Sequence, residues 1–405
     1  MKLPELKFGD LAAKLPIVQG GMGVGISLSG LASAVANEGG VGVIATAMIG
    51  MRDPDRSKDP IGADIRALAD EIHKAREKMT DGLLGVNIMC ALTNFREMVT
   101  TSIKERVDII FSGAGLPLEL PKYLKETAAE LKQDLGTKLV PIVSSGRAAN
   151  ILCRKWMSRY DYAPDGFVVE GPKAGGHLGF KPEQINDPHY DLDHIMGEVI
   201  EAVTPYREKS GKNIPVIVAG GVYTGADIAK YLEMGASGVQ MGTRFVATHE
   251  CDADEAFKRA YVEAKQEDVT IIKSPVGMPG RALKNPFLEA ASAGLRHPKK
   301  CIHKCLHSCA EENSPYCIAQ ALVNAYKGRF NYGFAFAGAN AYLVDKIVSV
   351  KELVGSLREE CETFLDEKRS GIDEMIGRKK TELDDFVQRK RGELDEFVDK
   401  TLGKK

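Results

Sequence analysis

The sequence predicts an α/β fold, a closed parallel barrel of eight βα units followed by a cysteine-rich segment and a long amphipathic helix. Three observations carry that prediction. Eight short apolar runs recur along the chain, with room for a helix between most neighbours. The runs are continuous rather than alternating, as in strands covered on both faces. Each run closes on Gly, Ser, Thr, Asn or a neighbouring turn residue, the punctuation expected where a strand gives way to a loop.

In order, the runs are "PIVQGG" at 16–21, "GVGVIAT" at 40–46, "LLGVNIM" at 83–89 and "VDIIFSGAG" at 107–115. They continue with "KLVPIVSSG" at 138–146, "GFVVEG" at 166–171, "PVIVAGG" at 215–221 and "GVQMGTR" at 238–244. The intervening "SLSGLASAVANEGG" and "YTGADIAKYLEMGA" read as helices, and Gly39 and Gly235 stand where helices end on a left-handed glycine. Eight such units suit a TIM barrel of about 250 residues. An open doubly wound sheet shares the alternation and is the alternative. The expected domains are a barrel at 1–290, a cysteine-rich segment at 291–345 and a helical tail at 346–405.

The tail carries an 11-residue repeat. Its apolar triplets are Val350/Leu353/Val354, Cys361/Phe364/Leu365, Ile372/Met375/Ile376, Leu383/Phe386/Val387 and Leu394/Phe397/Val398. Eleven residues in three turns is about 3.67 per turn, close to a straight helix with a slight right-handed bias. The expectation is an amphipathic helix lying on its own barrel or on a partner subunit, hence a homo-oligomer or a partner contact. A membrane-surface helix fits less well, because the polar face mixes acids with bases.

The 405 residues are 44% apolar, enough for a sizeable core, and the net charge of −2 gives no electrostatic footprint for nucleic acid. The N-terminal "MKLPELKFGD" has no apolar stretch of the secretory kind, and no apolar run approaches the ~18 residues of a membrane span. A soluble, cytoplasmic protein without a transmembrane segment is expected.

In such a barrel the chemistry lies at the C-terminal ends of the strands, and the loops after strands seven and eight hold phosphate. Glycine there lets backbone N–H groups approach an anion with no side chain between. Gly220, Gly221, Gly242 and Thr243 are therefore the expected phosphate site. After strand six, "EGPKAGGHLGF" (170–180) sets His177 in a glycine-rich loop. An imidazole with its ordinary pKa of ~6.5 exchanges protons near neutrality, so His177 is the expected catalytic residue. His189, His194 and His249 have no comparable context.

Together "PIVQGGM", "GVNIM", "GPKAGGHLG", "IPVIVAGGV" and "GVQMGTRF" resemble the nitronate monooxygenase family, also called 2-nitropropane dioxygenase-like, over residues ~10–290. These are FMN-dependent TIM-barrel proteins, and the family includes the enoyl-acyl-carrier-protein reductase II enzymes. The resemblance implies an FMN phosphate on Gly221, Gly242 and Thr243. It implies that Gly21, Met22 and Asn87 approach the flavin ring, Gly175 and Gly176 its ribityl side, and that His177 faces substrate. The implied activity is oxidation of alkyl nitronates. NAD(P)H-dependent enoyl reduction is the first alternative, and "FSGAGLP" with "LLGVNIM" looks closer to that branch. An electron-transfer subunit serving a partner is the second.

Of eight cysteines, Cys90, Cys153, Cys251 and Cys361 are scattered, while Cys301, Cys305, Cys309 and Cys317 fall within 17 residues. In a large intracellular chain such a cluster points to metal rather than disulfides. On a helix Cys301, Cys305 and Cys309 would share a face, with Cys317 returned by the "ENSP" turn. A [4Fe–4S] cluster is the expectation, with structural zinc or unliganded cysteines as alternatives. His303 and His307 are weaker ligand candidates.

Overall fold

The computed structural model describes residues 2–296, 301, 303–307, 309 and 314–403. A short antiparallel hairpin, β1 (Leu6–Phe8) and β2 (Leu11–Ala13), comes first. The eight barrel strands follow. They are β3 (Ile17–Gln19), β4 (Val41–Ala45), β5 (Leu83–Met89), β6 (Ile109–Gly113), β7 (Lys138–Val143), β8 (Phe167–Glu170), β10 (Val216–Ala219) and β11 (Gly238–Met241). All eight apolar runs are strands, all pairings are parallel in chain order, and β11 closes on β3. The doubly wound alternative is thereby excluded. Inside the barrel Val18, Val43, Phe111, Val140, Val168 and Ile217 form one buried cluster with Leu6 and Phe8 of the hairpin, which plugs its N-terminal mouth.

Helices follow the strands: α1 (Ser29–Asn37), α2 (Pro60–Lys78), α3 (Phe95–Lys104), α4 (Leu120–Leu131), α5 (Gly146–Tyr160), α6 (Leu192–Ser210) and α7 (Gly225–Glu233). Gly39 and Gly235 both take positive φ just past their helices, as expected of helix-terminating glycines. After β11 comes only the four-residue α8 (Thr243–Val246), too short to complete the ring of helices.

Residues 247–349 instead build a second layer over the C-terminal mouth of the barrel. It holds α9 (Glu255–Val262), strands β12 (Val269–Lys273) and β13 (Pro279–Leu283), α10 (Pro286–Ser292) and α11 (Ile318–Tyr326). Its core gathers Phe257, Tyr261, Val323, Tyr326, Ala335 and Ala337 around Val24 and Met48 of the barrel loops. β13 pairs antiparallel with β9 (Gly176–His177), so the hairpin holds the loop after β8.

The chain then returns to the barrel wall as α12 (Val350–Leu402). Ser349 starts it with a capping box: its Oγ accepts from the Glu352 amide at 3.1 Å, and the Glu352 carboxylate accepts from the Ser349 amide at 2.8 Å. Val350, Leu353, Val354, Leu357 and Cys361 are buried in the same cluster as the barrel helices. The first turns of α12 thus fill the slot between α7 and α1, where an eighth barrel helix belongs. The remainder projects outward, and every described residue from Asp366 to Gly403 is exposed. The expected amphipathic helix exists, but only its first third lies on the barrel. No helix among the described residues is long and apolar enough to cross a membrane.

Candidate active site

A cavity of about 750 Å³ opens at the C-terminal ends of the strands, between the barrel and the layer above it. It is within the size range of small-molecule and cofactor sites. Gly21, Met22, Asn87, Gly175, Gly176, His177, Gly220, Gly221, Gly242 and Thr243 all line it. Every residue singled out for flavin or catalysis therefore reaches one space, although they come from five separate strand ends.

Gly21 has no room for a side chain, since a Cβ there would lie 2.3 Å from the Asn87 Cβ. Gly220 and Gly221 take φ of +92° and +103°, a backbone state that side chains disfavour. Among the described residues, the amides of Gly221, Gly242 and Thr243 donate no hydrogen bond. Three N–H groups at the ends of two neighbouring strands thus remain available to an anion. Around the rim Val24, Met48 and Ala114 also take positive φ, the kind of backbone strain that gathers at functional sites.

His177 is held from three sides. Its backbone pairs with Gly280 in β13. Its Nε2 lies 2.6 Å from the Ser274 Oγ, and its ring meets Phe336 edge-on with centroids 4.9 Å apart. Ser274 is itself buried. Below the loop, the buried Arg281 donates through Nη1 to the carbonyls of Pro172 (2.6 Å) and Ala174 (2.7 Å). The glycine-rich loop is therefore clamped rather than free.

Burial pushes the His177 pKa down to about 4, because little water reaches the ring to solvate a charge. This corrects the expectation of a histidine poised near neutrality: at pH 7 the imidazole is neutral. Glu170, at the end of β8 and also on the cavity wall, is pushed the other way, up to about 7, again by burial. Its carboxyl is the group of the site that titrates near neutrality.

Sequence reasoning missed Ser274, Arg281, Phe336, Gly338 and Asn340. Gly338 donates its amide to the Thr243 Oγ1 at 3.1 Å, and Asn340 donates through Nδ2 to the Gly221 carbonyl at 2.7 Å. The five residues lie in "SPVGMPG" (274–280), just after it at Arg281, and in "FAFAGANA" (334–341), neither of which carries a chemical motif. Neither marked them as belonging to this cavity.

The cysteine segment departs from expectation. Residues 303–307 form no helix, and Lys304 takes φ of +43°, so the shared-face argument for Cys301, Cys305 and Cys309 falls. The segment instead crosses the loop after β5: the Thr93 amide donates to the Cys305 carbonyl at 3.2 Å, and Leu306 bridges Leu92. The "ENSP" turn falls largely outside the described residues. No cysteine among the described residues is joined in a disulfide. Among the described residues, no group of three or more His, Cys, Asp or Glu is gathered to hold a metal ion. Burial pushes the Cys305 thiol up to about 12, with smaller contributions from Cys317, Cys301 and Cys309. Cys305 also lines the cavity.

Comparison with known proteins matches residues 5–360 to the nitronate monooxygenase family. A nitronate monooxygenase of Paraburkholderia phytofirmans is 28% identical over 368 residues, covering 87% of this chain and 94% of that protein. A dehydrogenase of a hydroxy-methyl-oxo-octahydroindene carboxyl-CoA from Mycobacterium tuberculosis is 29% identical over 281 residues, 69% of this chain and 66% of that protein, just under two thirds of its length. Among solved structures, FabK from Thermotoga maritima superposes with a TM-score of 0.65 at 28% identity, over 88% of this chain and 95% of that one.

Proposed function

Because the chain belongs to the nitronate monooxygenase family, we propose that it is an FMN-dependent oxidoreductase that oxidises alkyl nitronates. The observation that carries this reading is the convergence of unpaired strand-end amides, a glycine floor and a half-buried imidazole on one cavity. Gly221, Gly242 and Thr243, with Gly220 shaping the turn, would hold the FMN phosphate. Gly21, Met22 and Asn87 would flank the ring, and Gly175 and Gly176 the ribityl chain. Bound FMN supplies the electron acceptor that no side chain provides.

The protein's own part is to bind and orient. A nitronate arrives as an anion with its α-proton already lost. A neutral His177, fixed at Nε2 by Ser274, offers it a hydrogen bond without first having to change charge. A neutral nitroalkane would need a base for its α-proton, which the His177 imidazole, its pKa pushed down to about 4, does not supply. Phe336, Met278 and Leu116 give the cavity an apolar wall suited to an alkyl chain.

The likeness to FabK, and to a dehydrogenase that acts on a hydroxy-methyl-oxo-octahydroindene carboxyl-CoA thioester, supports a second reading, NAD(P)H-dependent reduction of an enoyl thioester. Anaerobic mixing separates the two. An alkyl nitronate should bleach the flavin absorbance, and NADH or NADPH should leave it unchanged. Bleaching by a nicotinamide with no response to nitronate would install the second reading. Folded protein that carries no FMN, and takes up none when it is added, would remove both.

We further propose that Cys301, Cys305, Cys309 and Cys317 would hold a [4Fe–4S] cluster beside the flavin cavity, whose wall Cys305 lines. Support comes from four thiols within 17 residues of sequence and from the Lys304 amide, which donates to the Cys301 Sγ at 3.4 Å. Anaerobic protein should then contain iron and sulfide in equal amounts, both lost in Cys305→Ser while FMN stays. Protein without iron would end this proposal and leave the flavin reading intact.

A further inference from the structure

Charge is sparse in the cavity. Among the described residues that line it, Lys173 is the only lysine or arginine and Glu170 the only carboxylate. Lys173 lies exposed in the loop after β8, and its ammonium makes no ion pair or hydrogen bond among the described residues. The two charges do not answer each other: burial alone raises the Glu170 pKa, with no contribution from Lys173. Asp193, an acid that does feel Lys173, is already held by Lys230, whose Nζ donates to its two carboxylate oxygens at 2.9 and 2.7 Å. A cation on the wall of a cofactor-sized cavity is thus left without a counter-ion.

The stem of Lys173 fixes where that charge goes. It packs on Gly221: a Cβ on that glycine would lie 3.1 Å from the Lys173 Cβ and 3.2 Å from its Cδ. The ammonium is two bonds past Cδ. The Lys173 carbonyl accepts from the Ala339 amide at 3.0 Å. Gly338, beside Ala339, donates its amide to the Thr243 Oγ1 at 3.1 Å. Lys173 is therefore tied to two strand ends, that of β10 through Gly221 and that of β11 through Gly338 and Thr243. These are the ends whose Gly221, Gly242 and Thr243 amides have no acceptor among the described residues. Arg244, next along the chain, is committed elsewhere. Its Nη1 donates to the Tyr223 carbonyl at 3.1 Å, and its guanidinium lies 4.3 Å from the centroid of the Tyr223 ring.

Backbone amides offer an anion hydrogen bonds but only partial charge. A phosphate monoester carries about −1.5 to −2 at neutral pH. Taking it from water into the cavity leaves charge to be compensated. An ammonium on a flexible stem suits that task. It is a compact point charge with three donors, and it can settle on the phosphate oxygens that the amides leave free.

We propose that Lys173 is a specificity-determining residue of the cavity: it closes on the terminal phosphate held by Gly221, Gly242 and Thr243, and makes the site choose a phosphorylated flavin over an unphosphorylated one. The assignment rests on the flavin reading of the cavity.

The test is equilibrium binding of FMN and of riboflavin to flavin-free, full-length protein, read from flavin fluorescence. Riboflavin shares the ring and the ribityl chain and lacks only the phosphate. Lys173→Gln keeps most of the stem on Gly221. It should weaken FMN about 10–100-fold, the range for a hydrogen bond to a charged group, and leave riboflavin within about twofold. Lys173→Arg should restore most of the FMN affinity. Raising KCl from about 0.05 to about 0.5 M should weaken FMN binding more in wild type than in Lys173→Gln. A Lys173→Gln protein that binds FMN as wild type does would overturn the proposal. So would equal losses of FMN and riboflavin, which would make the stem a packing element only. Wild type that binds riboflavin as tightly as FMN would overturn it too, while leaving the flavin reading standing. Wild type that takes up neither flavin would remove the flavin reading itself, and this assignment with it.

Discussion

At the scale of single residues, the site depends on burial more than on residue type. His177→Ala should retain flavin and lose about 10²–10⁴ in kcat/KM with nitronate, the range for removing a proton-transfer or polarising group. Ser274→Ala should cost less, because it frees the imidazole without deleting it. The two buried groups of the cavity give opposite pH dependences. Glu170 has a folded pKa raised to about 7, so its contribution to stability is full below the unfolded value and is lost as pH rises through 7. His177 is lowered to about 4, so its contribution is full above about 6.5 and is lost as pH falls through 4. In flavin-free protein, Glu170→Gln should raise the Tm most at pH 7–8 and flatten its fall between about pH 4.5 and 7. His177→Asn should remove acid-side destabilisation between about pH 6.5 and 4. Scanning calorimetry from pH 4 to 8 reads both.

At the scale of elements, the β12–β13 hairpin and the start of α12 are the pieces that hold the site and the barrel wall together. Arg281→Met keeps the bulk but leaves the Pro172 and Ala174 carbonyls unpaired in a buried setting. It should cost about 2–4 kcal/mol in urea unfolding and weaken flavin retention, since the same loop carries Gly175 and Gly176. Ser349→Ala removes one half of a capping box and should cost about 0.5–2 kcal/mol. The helix ends show how local and distant signals combine. α1 has no cap from its own neighbourhood, and its first amides, on Leu28, Gly30 and Leu31, donate instead to the Asp252 carboxylate, more than 200 residues away.

At the scale of the whole molecule, α12 is two things in one helix. Its first turns are barrel wall, where Gly225 of α7 approaches so closely that a Cβ would lie 2.4 Å from the Leu357 carbonyl oxygen. Its last two thirds lie outside the barrel. A chain ending at Glu367 should therefore keep its Tm and its flavin. A chain ending at Ser349 should expose the buried faces of α1 and α7 and aggregate. Expression of both truncations, followed by light scattering and flavin absorbance, checks the division.

The sequence by itself determined the eight barrel strands, their helices, the glycine strand ends and the repeat of the tail. These are local signatures: an apolar run, a helix-ending glycine and an 11-residue period each follow from backbone geometry within a few residues. Barrel geometry also named Gly220, Gly221, Gly242 and Thr243, because strand ends in such a barrel converge on one face, while Gly21, Met22, Asn87, Gly175, Gly176 and the substrate-facing place of His177 came from the family resemblance. Tertiary structure alone decided the rest. Ser274, Arg281 and Phe336 reach His177 only because residues 247–349 fold back over the barrel mouth. The same layer caps α1 through Asp252 and lays the cysteine segment across the β5 loop without helical phase. The eighth wall helix was legible as a helix at Val350, but its place in the barrel was not. The acid–base character of the site was hidden for the same reason. A pKa records how much water a fold removes from around a group, and that quantity belongs to no stretch of sequence taken alone.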